Sequence, residues 1–258
     1  MTRTYVVTGA ASGIGLATVQ KLQGLGHRTV TVDRRDADVD ADLSTRAGRD
    51  QMVEAVNALT GGVVDAVVAS AGTNNRGRID VQVNFFGAVA TLAGLRPLLA
   101  AGSAPRAVAV SSFAVLEDID EATVDACLAG DEPAAIAAVD ALGQADLMQV
   151  YASSKRALAR WVRRNAPTAH WAGAGIALNT VGPGVVHTPM TEPLLGDPGL
   201  SELLLAAVPM PFQGVLAPEA LAHHLVALTD PELRGMTGQT IFVDGGADCL
   251  RRGDDVWR

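Results

Sequence analysis

The chain has 258 residues, of which 48% are hydrophobic and only 4% aromatic, and its formal net charge is −8. Its length suits one large α/β domain or two small ones. A core this poor in aromatic residues must be built from Ala, Val, Leu and Ile, as in buried parallel strands covered by helices. The acidic balance, without a long basic run, argues against nucleic acid or an acidic membrane surface as a partner.

Two isolated cysteines, Cys127 and Cys249, have neither the spacing of a metal site nor the density of a disulfide framework. They predict free thiols, a cytoplasmic protein and no bound metal. The chain enters an apolar strand within its first residues, and it has no run of about 18 apolar residues. Neither a signal peptide nor a membrane-spanning helix is therefore expected.

The first predicted strand, 5–7, runs into a glycine-rich turn that precedes a predicted helix at 16–25. The candidate cofactor-binding residues of this turn are Gly9, Ser12, Gly13, Ile14 and Gly15. Glycines between a strand and a helix let the backbone approach a pyrophosphate and aim helix amides at it. The spacing Gly-x-x-x-Gly-x-Gly departs from the common dinucleotide fingerprint, and a tight turn that merely needs glycine is the alternative.

The second predicted strand, 29–32, ends at Asp33, 18 residues after Gly15. A carboxylate at this place can accept hydrogen bonds from the adenosine ribose hydroxyls and would repel a 2′-phosphate, which favours NAD over NADP. Arg34 and Arg35 follow at once, and an arginine there can pair with a phosphate. A solvated surface turn is the alternative for these residues.

A short third strand, 39–41, is followed by Asp42 and Leu43. These two residues can flank an adenine, with the carboxylate on its amino group and the leucine on its face. Asp42 or Ser44 can equally be the cap of the helix that begins near Thr45. Both interpretations fit the sequence.

The fourth predicted strand, 63–69, is followed by Ala71 and Gly72, whose small size leaves room for a ligand at the carboxyl end of a central strand. The next predicted helix, 81–101, is apolar and carries Asn84 near its start. An Asn in such a helix usually makes a local kink or cap. It can also hold a water that relays protons.

The fifth predicted strand, 107–110, ends in Ser111 and Ser112, whose hydroxyls can donate to a substrate oxygen or merely cap a loop. The acidic, alanine-rich segment that follows, 113–150, predicts two short helices broken around 130–133. It carries no catalytic motif. It is therefore interpreted as an insertion that serves as a lid, a specificity wall or a packing surface.

The predicted helix at 151–165 begins with Tyr151 and carries Lys155 one turn later on the same face. A neighbouring ammonium stabilises a phenolate and lowers the pKa of the tyrosine, which turns the phenol into an acid–base group. Many helices carry such a pair by chance, so the pair alone is a weak signal.

After a sixth strand at 176–181, Thr188 lies where it can bond the carboxamide of a nicotinamide. His187 is a candidate base, although a loop histidine is more often a surface residue. Residues 194–211 are rich in Leu, Ala and Pro, which is typical of a mobile flap over a pocket. The remaining predicted elements are a helix and a strand, 221–228 and 240–243. No repeat or linker marks a domain boundary.

Together these motifs resemble the short-chain dehydrogenase/reductase family, in its order and over nearly the whole chain. The resemblance rests on the glycine turn, Asp33, Ala71, Gly72, Asn84, Ser112, Tyr151, Lys155, Pro183 and Gly184. It implies an α/β fold with a Rossmann-type, doubly wound, seven-stranded parallel sheet, in a single domain with a helical insertion at about 113–150. It also implies NAD as the cofactor.

The resemblance further implies an Asn-Ser-Tyr-Lys catalytic tetrad. Tyr151 is then the acid–base residue, and Lys155 lowers its pKa and binds the nicotinamide ribose. Ser112 polarises the substrate carbonyl, with Ser111 as its rival, and Asn84 anchors a water relay.

This chain departs from the family in three places. Residues 69–72 read Ala-Ser-Ala-Gly where the family has Asn-Asn-Ala-Gly, the helix before Asn84 is trimmed, and Ser112 and Tyr151 stand 39 residues apart. The long insertion, the trimmed helix and the runs 33–39 and 42–45 most resemble the bacterial 3α-hydroxysteroid dehydrogenase/carbonyl reductase subgroup, whose insertion blocks the face that most members use for tetramers. A homodimer is implied, and a homotetramer is the alternative.

The sequence thus predicts an NAD(H)-dependent oxidoreductase that interconverts a secondary alcohol and a ketone. A small apolar substrate is expected, such as a 3α-hydroxysteroid, a 3-oxosteroid or a xenobiotic carbonyl, because the flap offers few polar anchors. A dehydrogenase of a terpenoid or a sugar is an alternative. Another is a non-catalytic NAD-sensing protein on the same fold, which would be expected to lose Tyr151, Lys155 or Ser112.

Overall fold

Seven parallel strands form one sheet in the computed structural model, which describes residues 2–144 and 146–257. The strands are β1 (Thr4–Thr8), β2 (Arg28–Asp33), β3 (Val39–Asp40), β4 (Ala66–Ala69), β5 (Arg106–Val110), β6 (Ala177–Pro183) and β7 (Thr240–Val243). Their order across the sheet is β3-β2-β1-β4-β5-β6-β7. The chain therefore runs outward from β1, returns to the other side of β1 at β4, and leaves a crevice where the strand order reverses.

Helices cover both faces of this sheet. They are α1 (Gly13–Gly24), α2 (Arg46–Thr60), α3 (Arg78–Val81), α4 (Ala88–Ala100), α5 (Glu121–Ala129), α6 (Glu132–Ala141), α7 (Met148–Asn165), α8 (Glu192–Leu195), α9 (Pro198–Ala207), α10 (Pro218–Leu228) and α11 (Ala247–Arg252). A π-helical turn, Gln82–Gly87, joins α3 to α4. Three 3₁₀ turns complete the helical elements, at Phe113–Leu116, Ala172–Ala174 and Asp255–Trp257.

The alternation of side chains along the strands divides the core into two layers. Val6 and Val67 face the layer beneath α2, α4 and α7, whereas Val7 and Val68 face the layer beneath α1 and α10. Successive residues of a strand point to opposite faces, so strands covered on both sides are apolar at every position. The predicted fold class is confirmed.

Several predicted boundaries differ from the structure. The fourth strand begins at Ala66 and not at 63, the helix predicted from 81 begins at Arg78, and the Tyr-Lys helix begins at Met148. The N-cap of α2 is Thr45, whose hydroxyl accepts the Gly48 amide. The two capping candidates that the sequence offered, Asp42 and Ser44, do not occupy that position. Caps depend on backbone angles that composition does not reveal.

The insertion forms the two predicted helices, α5 and α6, which break at Gly130 in the left-handed conformation (φ 75°). Asp131 begins α6 by accepting the Ala134 amide at 3.0 Å. A largely buried ion pair of 2.7 Å between Arg49 of α2 and Glu132 of α6 fastens the insertion to the body of the fold. A second ion pair, Arg160–Glu121 at 3.6 Å, joins α5 to α7. Of the three roles considered, the geometry fits a packing surface.

One helical stretch, Arg78–Ala100, is long and apolar enough to cross a membrane by length and composition alone, contrary to the expectation drawn from apolar runs. Its mean hydropathy is 1.4 over a window that is 56% buried. Leu92 and Leu95 of this stretch belong to the core beneath the sheet. Packing between a sheet and neighbouring helices accounts for its apolar character.

Candidate active site

The glycine turn lies tightly against the carboxyl end of β4. Gly9 has a φ of 69°, and a Cβ there would lie 2.8 Å from the backbone of Ala71. A Cβ on Gly15 would overlap the carbonyl oxygen of Gly9. The Thr8 hydroxyl accepts the amides of Ser70 and Ala71 at 3.1 and 3.2 Å. These contacts require glycine and leave no room for a side chain between the turn and β4.

The turn delivers the chain into α1 without a side-chain cap. Ser12 occupies the cap position in an extended conformation, and its side chain makes no capping hydrogen bond. Gly13 follows with a φ of 53°, and the half-buried Ile14 comes next. The first amides of a helix need an acceptor from outside the helix, and a pyrophosphate is such an acceptor. The turn therefore fits a dinucleotide.

Asp33 lies at the mouth of this turn. Its carboxylate accepts the Ala11 amide at 3.0 Å and the Arg34 amide at 2.7 Å. Arg34 and Arg35 are exposed, and the contact of Arg35 with Asp36 is 3.9 Å between highly exposed side chains. The fixed group at this position is thus an anion, which fits ribose hydroxyls better than a phosphate.

The structure separates Asp42 from Leu43. Asp42 is exposed, and it accepts the Ser44 hydroxyl at 2.7 Å and the Ser44 amide at 2.9 Å. These two bonds hold its pKa below the ordinary value. Leu43 is only 5% exposed and packs in the core, where a Cβ on Gly87 would lie 3.1 Å from it. The Leu43 side chain thus packs mainly in the core, and its contact with the face of an adenine stays a prediction.

Tyr151 and Lys155 share one face of α7, as predicted. The Lys155 side chain is 3% exposed, its ammonium donates to the carbonyl of Val110 at 2.9 Å, and its Nζ lies 5.8 Å from the centroid of the Tyr151 ring. Burial lowers the pKa of Lys155 to about 8. The side chain is therefore mainly charged at neutral pH and close to its titration.

The pKa of Tyr151 is raised, whereas the sequence predicted that Lys155 would lower it. Burial is the main cause, the Asp80 carboxylate adds to it, and a hydrogen bond from Ser112 opposes it. The Lys155 ammonium is turned to the Val110 carbonyl, so the desolvation of a phenolate outweighs its attraction. The phenol is protonated at neutral pH in the chain alone.

The structure distinguishes the two neighbouring serines. Ser112 accepts the Ala114 amide at 3.1 Å, and its hydroxyl is close enough to the Tyr151 phenol to lower the pKa of that phenol. Ser111 is only 1% exposed and donates to the Lys155 carbonyl at 3.3 Å. Ser112 is thus placed beside the reacting phenol, while Ser111 ties β5 to α7.

Asn84 lies in the π-helical turn, an element that often marks functional sites. Its Oδ1 accepts the Thr73 amide at 2.8 Å, and its Nδ2 donates to the Thr73 carbonyl at 2.9 Å and to Ser154 Oγ at 3.1 Å. A Cβ on Gly72 would lie 3.2 Å from both Asn84 Oδ1 and Lys155 Nζ. The two side chains therefore approach each other across the space that a side chain at position 72 would fill.

Thr188 lies on the opposite side of the glycine turn. Its Cγ2 would be 3.2 Å from a Cβ on Gly13, and its amide donates to the Thr191 hydroxyl at 3.0 Å. A cleft of about 190 Å³ opens here, and its lining includes Gly13, Gln20, His187, Thr188, Glu192 and Glu219. The His187 side chain is exposed, as the surface interpretation expects.

Three polar residues of this network escaped the sequence analysis. Thr73 and Ser154 bind the Asn84 side chain, and Asp80 is fully buried beside them. Asp80 precedes Asn84 by four residues in an apolar helix, so the shared helix face was the available signal. Within residues 2–144 and 146–257, no group of three or more His, Cys, Asp or Glu side chains is arranged to hold a metal.

Comparison with known proteins agrees with this geometry. Residues 9–248 match the family model described as enoyl-(acyl carrier protein) reductase. Over 252 residues the chain is 37% identical to 3-alpha-hydroxysteroid dehydrogenase/carbonyl reductase of Comamonas testosteroni, covering 96% of this chain and 97% of that protein. The chain belongs to the short-chain dehydrogenase/reductase family.

Two solved structures show how closely this short-chain dehydrogenase/reductase follows its relatives. The 3-alpha-hydroxysteroid dehydrogenase of Pseudomonas sp. B-0831, complexed with NADH, is 40% identical with a TM-score of 0.89, covering 96% of this chain and 98% of that one. RhlG of Pseudomonas aeruginosa, in complex with NADP, is 26% identical with a TM-score of 0.74, covering 95% and 96%. The predicted family and its oxidoreductase class are confirmed.

Proposed function

We propose that this enzyme uses NAD(H) to interconvert a secondary alcohol and a ketone on a small apolar substrate, a 3α-hydroxysteroid, a 3-oxosteroid or a xenobiotic carbonyl. The observation that carries the proposal is the meeting of the Asn84 and Lys155 side chains at Gly72, with the Tyr151 ring 5.8 Å from the Lys155 ammonium. These groups adjoin a glycine turn built for a dinucleotide. The names of two hydroxysteroid dehydrogenases to which this chain is similar, at 37% and 40% identity, support the substrate class.

Each part of the cofactor would be held by a residue or backbone group described above. The uncapped amides of α1 would hold the pyrophosphate, and Asp33 would hold the adenosine ribose, which favours NAD. Lys155 would bind the nicotinamide ribose, and Thr188 the carboxamide. When bound, the nicotinamide supplies the hydride donor or acceptor.

Proton transfer falls to Tyr151. Its phenol lies beside Ser112, which lowers its pKa and would also donate to the substrate oxygen. Because burial raises the pKa of Tyr151, the phenol carries its proton at neutral pH, as ketone reduction requires. Oxidation of an alcohol needs the phenolate, so alkaline conditions should favour that direction.

The apolar substrate class is supported by the flap. Leu200 and Leu203 of α9 are 45% and 69% exposed, and Met190 before α8 is 41% exposed. Exposed apolar surface on these segments fits a ligand with a large ring system. A sugar would leave its hydroxyls without partners here.

Assembly and location complete the proposal. The insertion is fastened over α2 by Arg49 and Glu132, which supports a homodimer over a tetramer, and light scattering during size-exclusion chromatography would distinguish the two. A cytoplasmic location is supported by the free thiols Cys127 and Cys249. Fractionation of cells that express a tagged full chain would test it.

The decisive experiment follows absorbance of the reduced nicotinamide. Purified protein is mixed with NAD or NADP and with a 3α-hydroxysteroid, a cyclic terpenoid alcohol or a simple secondary alcohol. Turnover of the steroid with NAD, lost in Tyr151→Phe while calorimetry shows that NAD still binds, is the expected result. Turnover of another alcohol but not of the steroid would exclude a steroid substrate. Activity retained by Tyr151→Phe would refute the mechanism. NAD binding without turnover would point to a sensor.

A further inference from the structure

A buried carboxylate lies next to the residues of the proposed reaction. Asp80 on α3 is 0% exposed. It accepts the amides of Asn75 and Arg76 at 2.8 Å, the amide of Gly77 at 3.4 Å and the hydroxyl of Thr73 at 3.2 Å. A buried carboxylate is costly unless it is bonded in this way, so these contacts define one structural unit.

The loop that Asp80 holds is the loop that holds Asn84. Thr73 gives its hydroxyl to Asp80, while its amide and carbonyl pair with the side-chain amide of Asn84. Within the loop, Arg76 adopts a φ of 56°, a conformation that non-glycine residues rarely take without support. The amide bonds to Asp80 supply that support, since they fall on Arg76 and its two neighbours.

Asp80 also acts on the catalytic pair through its charge. It raises the pKa of Lys155 against the effect of burial, and it raises the pKa of Tyr151 in the same direction as burial. Two uncharged groups face the pair from the end of β5, the Val110 carbonyl and Ser112. Charged side chains on the neighbouring helices α3 and α7 are engaged in ion pairs. Arg78 of α3 pairs with Asp140 of α6, and Arg160 of α7 pairs with Glu121 of α5.

We propose that Asp80 is a positioning residue, whose carboxylate orients Asn84 through loop 73–77 and supplies the counter-charge to the Lys155 ammonium. The proposal rests on the proposed function only for its kinetic readout. Asp80 touches neither substrate nor cofactor in this role. It fixes the position of Asn84 and contributes to the electrostatic environment of Lys155 and Tyr151.

The kinetic test compares Asp80→Asn with Asp80→Glu. The asparagine variant keeps the shape but sets an amide against backbone N–H donors, so kcat should fall roughly 10- to 100-fold through misplacement of Asn84, with a smaller change in KM for NAD. Its pH–rate profile should move to lower pH. Asp80→Glu should restore the position of the profile, because it keeps the charge. Asp140→Asn, which removes an exposed charge from the same neighbourhood, is the matched control and should leave the profile unmoved.

A second readout does not require turnover. The chain has two tyrosines, so subtracting the titration of Tyr151→Phe from each tyrosinate absorbance curve isolates Tyr151. Removing the Asp80 charge should lower the pKa of Tyr151, and Asp80→Glu should not. Equal titration of the wild type and Asp80→Asn, or an equal displacement in both variants, would overturn the electrostatic role. An unchanged kcat in Asp80→Asn would overturn the positioning role.

Should Asp80→Asn fail to fold, Thr73→Val removes a single bond to the carboxylate and keeps the charge. A fall in kcat with an unmoved tyrosinate titration is then expected. An unchanged kcat would refute the link through the loop. If no panel substrate is turned over by the wild type, the proposed function fails while the tyrosinate titration still decides the charge effect of Asp80.

Discussion

Replacing Gly9 with alanine tests whether the cofactor turn and β4 are built as one unit. Gly9 has a φ of 69°, and its Cβ would meet the Ala71 backbone at 2.8 Å. The left-handed conformation costs a non-glycine residue roughly 1–2 kcal/mol, and forcing an atom against a backbone that cannot swing aside costs about 1–3 kcal/mol more. The free energy of unfolding should therefore fall by roughly 2–5 kcal/mol.

Two other glycines provide matched controls. Gly26 has a φ of 78° and Gly24 lies at the end of α1, and a Cβ at either position meets nothing within 4 Å. Gly26→Ala should lose only the conformational part, roughly 1–2 kcal/mol. Gly24→Ala should be neutral or stabilising by up to about 1 kcal/mol, because alanine is the better helix former.

Urea unfolding followed by tryptophan fluorescence, with calorimetry of NAD binding, would measure the series. Gly9→Ala should lose both stability and NAD affinity, while the two controls keep their NAD affinity. A loss in Gly9→Ala no greater than that in Gly26→Ala would refute the close approach of the turn to Ala71. Normal NAD affinity in a folded Gly9→Ala would refute the role of the turn in binding.

Three further predictions concern charge. Asp33→Ser should reduce the preference for NAD over NADP roughly tenfold or more, measured as the ratio of kcat/KM values, since it removes the anion that repels a 2′-phosphate; an unchanged ratio would contradict the role of Asp33. The rate of alcohol oxidation should rise with pH, because burial raises the pKa of Tyr151. The rate of ketone reduction should fall above pH 8, because the pKa of Lys155 is lowered to about 8. Identical pH–rate profiles for the two directions would contradict this. Glu132→Gln should lower the free energy of unfolding in urea by roughly 1.5–3 kcal/mol, because it weakens a charged hydrogen bond to the buried Arg49. Glu121→Gln, at an exposed ion pair, is the control. Equal losses in the two variants would show that this pair does not fasten the insertion.

The sequence predicted the sheet and the place of the site because both depend on local pattern. Apolar runs that end in Thr8, Asp33 and Ser112 mark strands and their carboxyl ends, and parallel strands bring those ends to one edge of the sheet. The Tyr-Lys spacing follows from helix geometry alone. The position of Asp33 at the end of a strand was enough to predict that its carboxylate lies beside the turn.

Long-range contacts account for what the sequence did not predict. Leu43 enters the core because Gly87, more than forty residues later, leaves space for it. The pKa of Tyr151 depends on how far the phenol is desolvated, which no spacing rule contains. Asp80 resembles any helical Asp until loop 73–77 is seen to fold over it.

The paired bonds between Asn84 and Thr73 give the site a fixed polarity. One amide group donates to a carbonyl and accepts from an N–H of the same residue, so turning it over would set donor against donor and oxygen against oxygen. The Asn84 oxygen is thereby kept near the Lys155 ammonium, across the space that Gly72 leaves. A water seated between them must accept from the ammonium and donate to the oxygen, which gives any proton chain through this point a single resting direction.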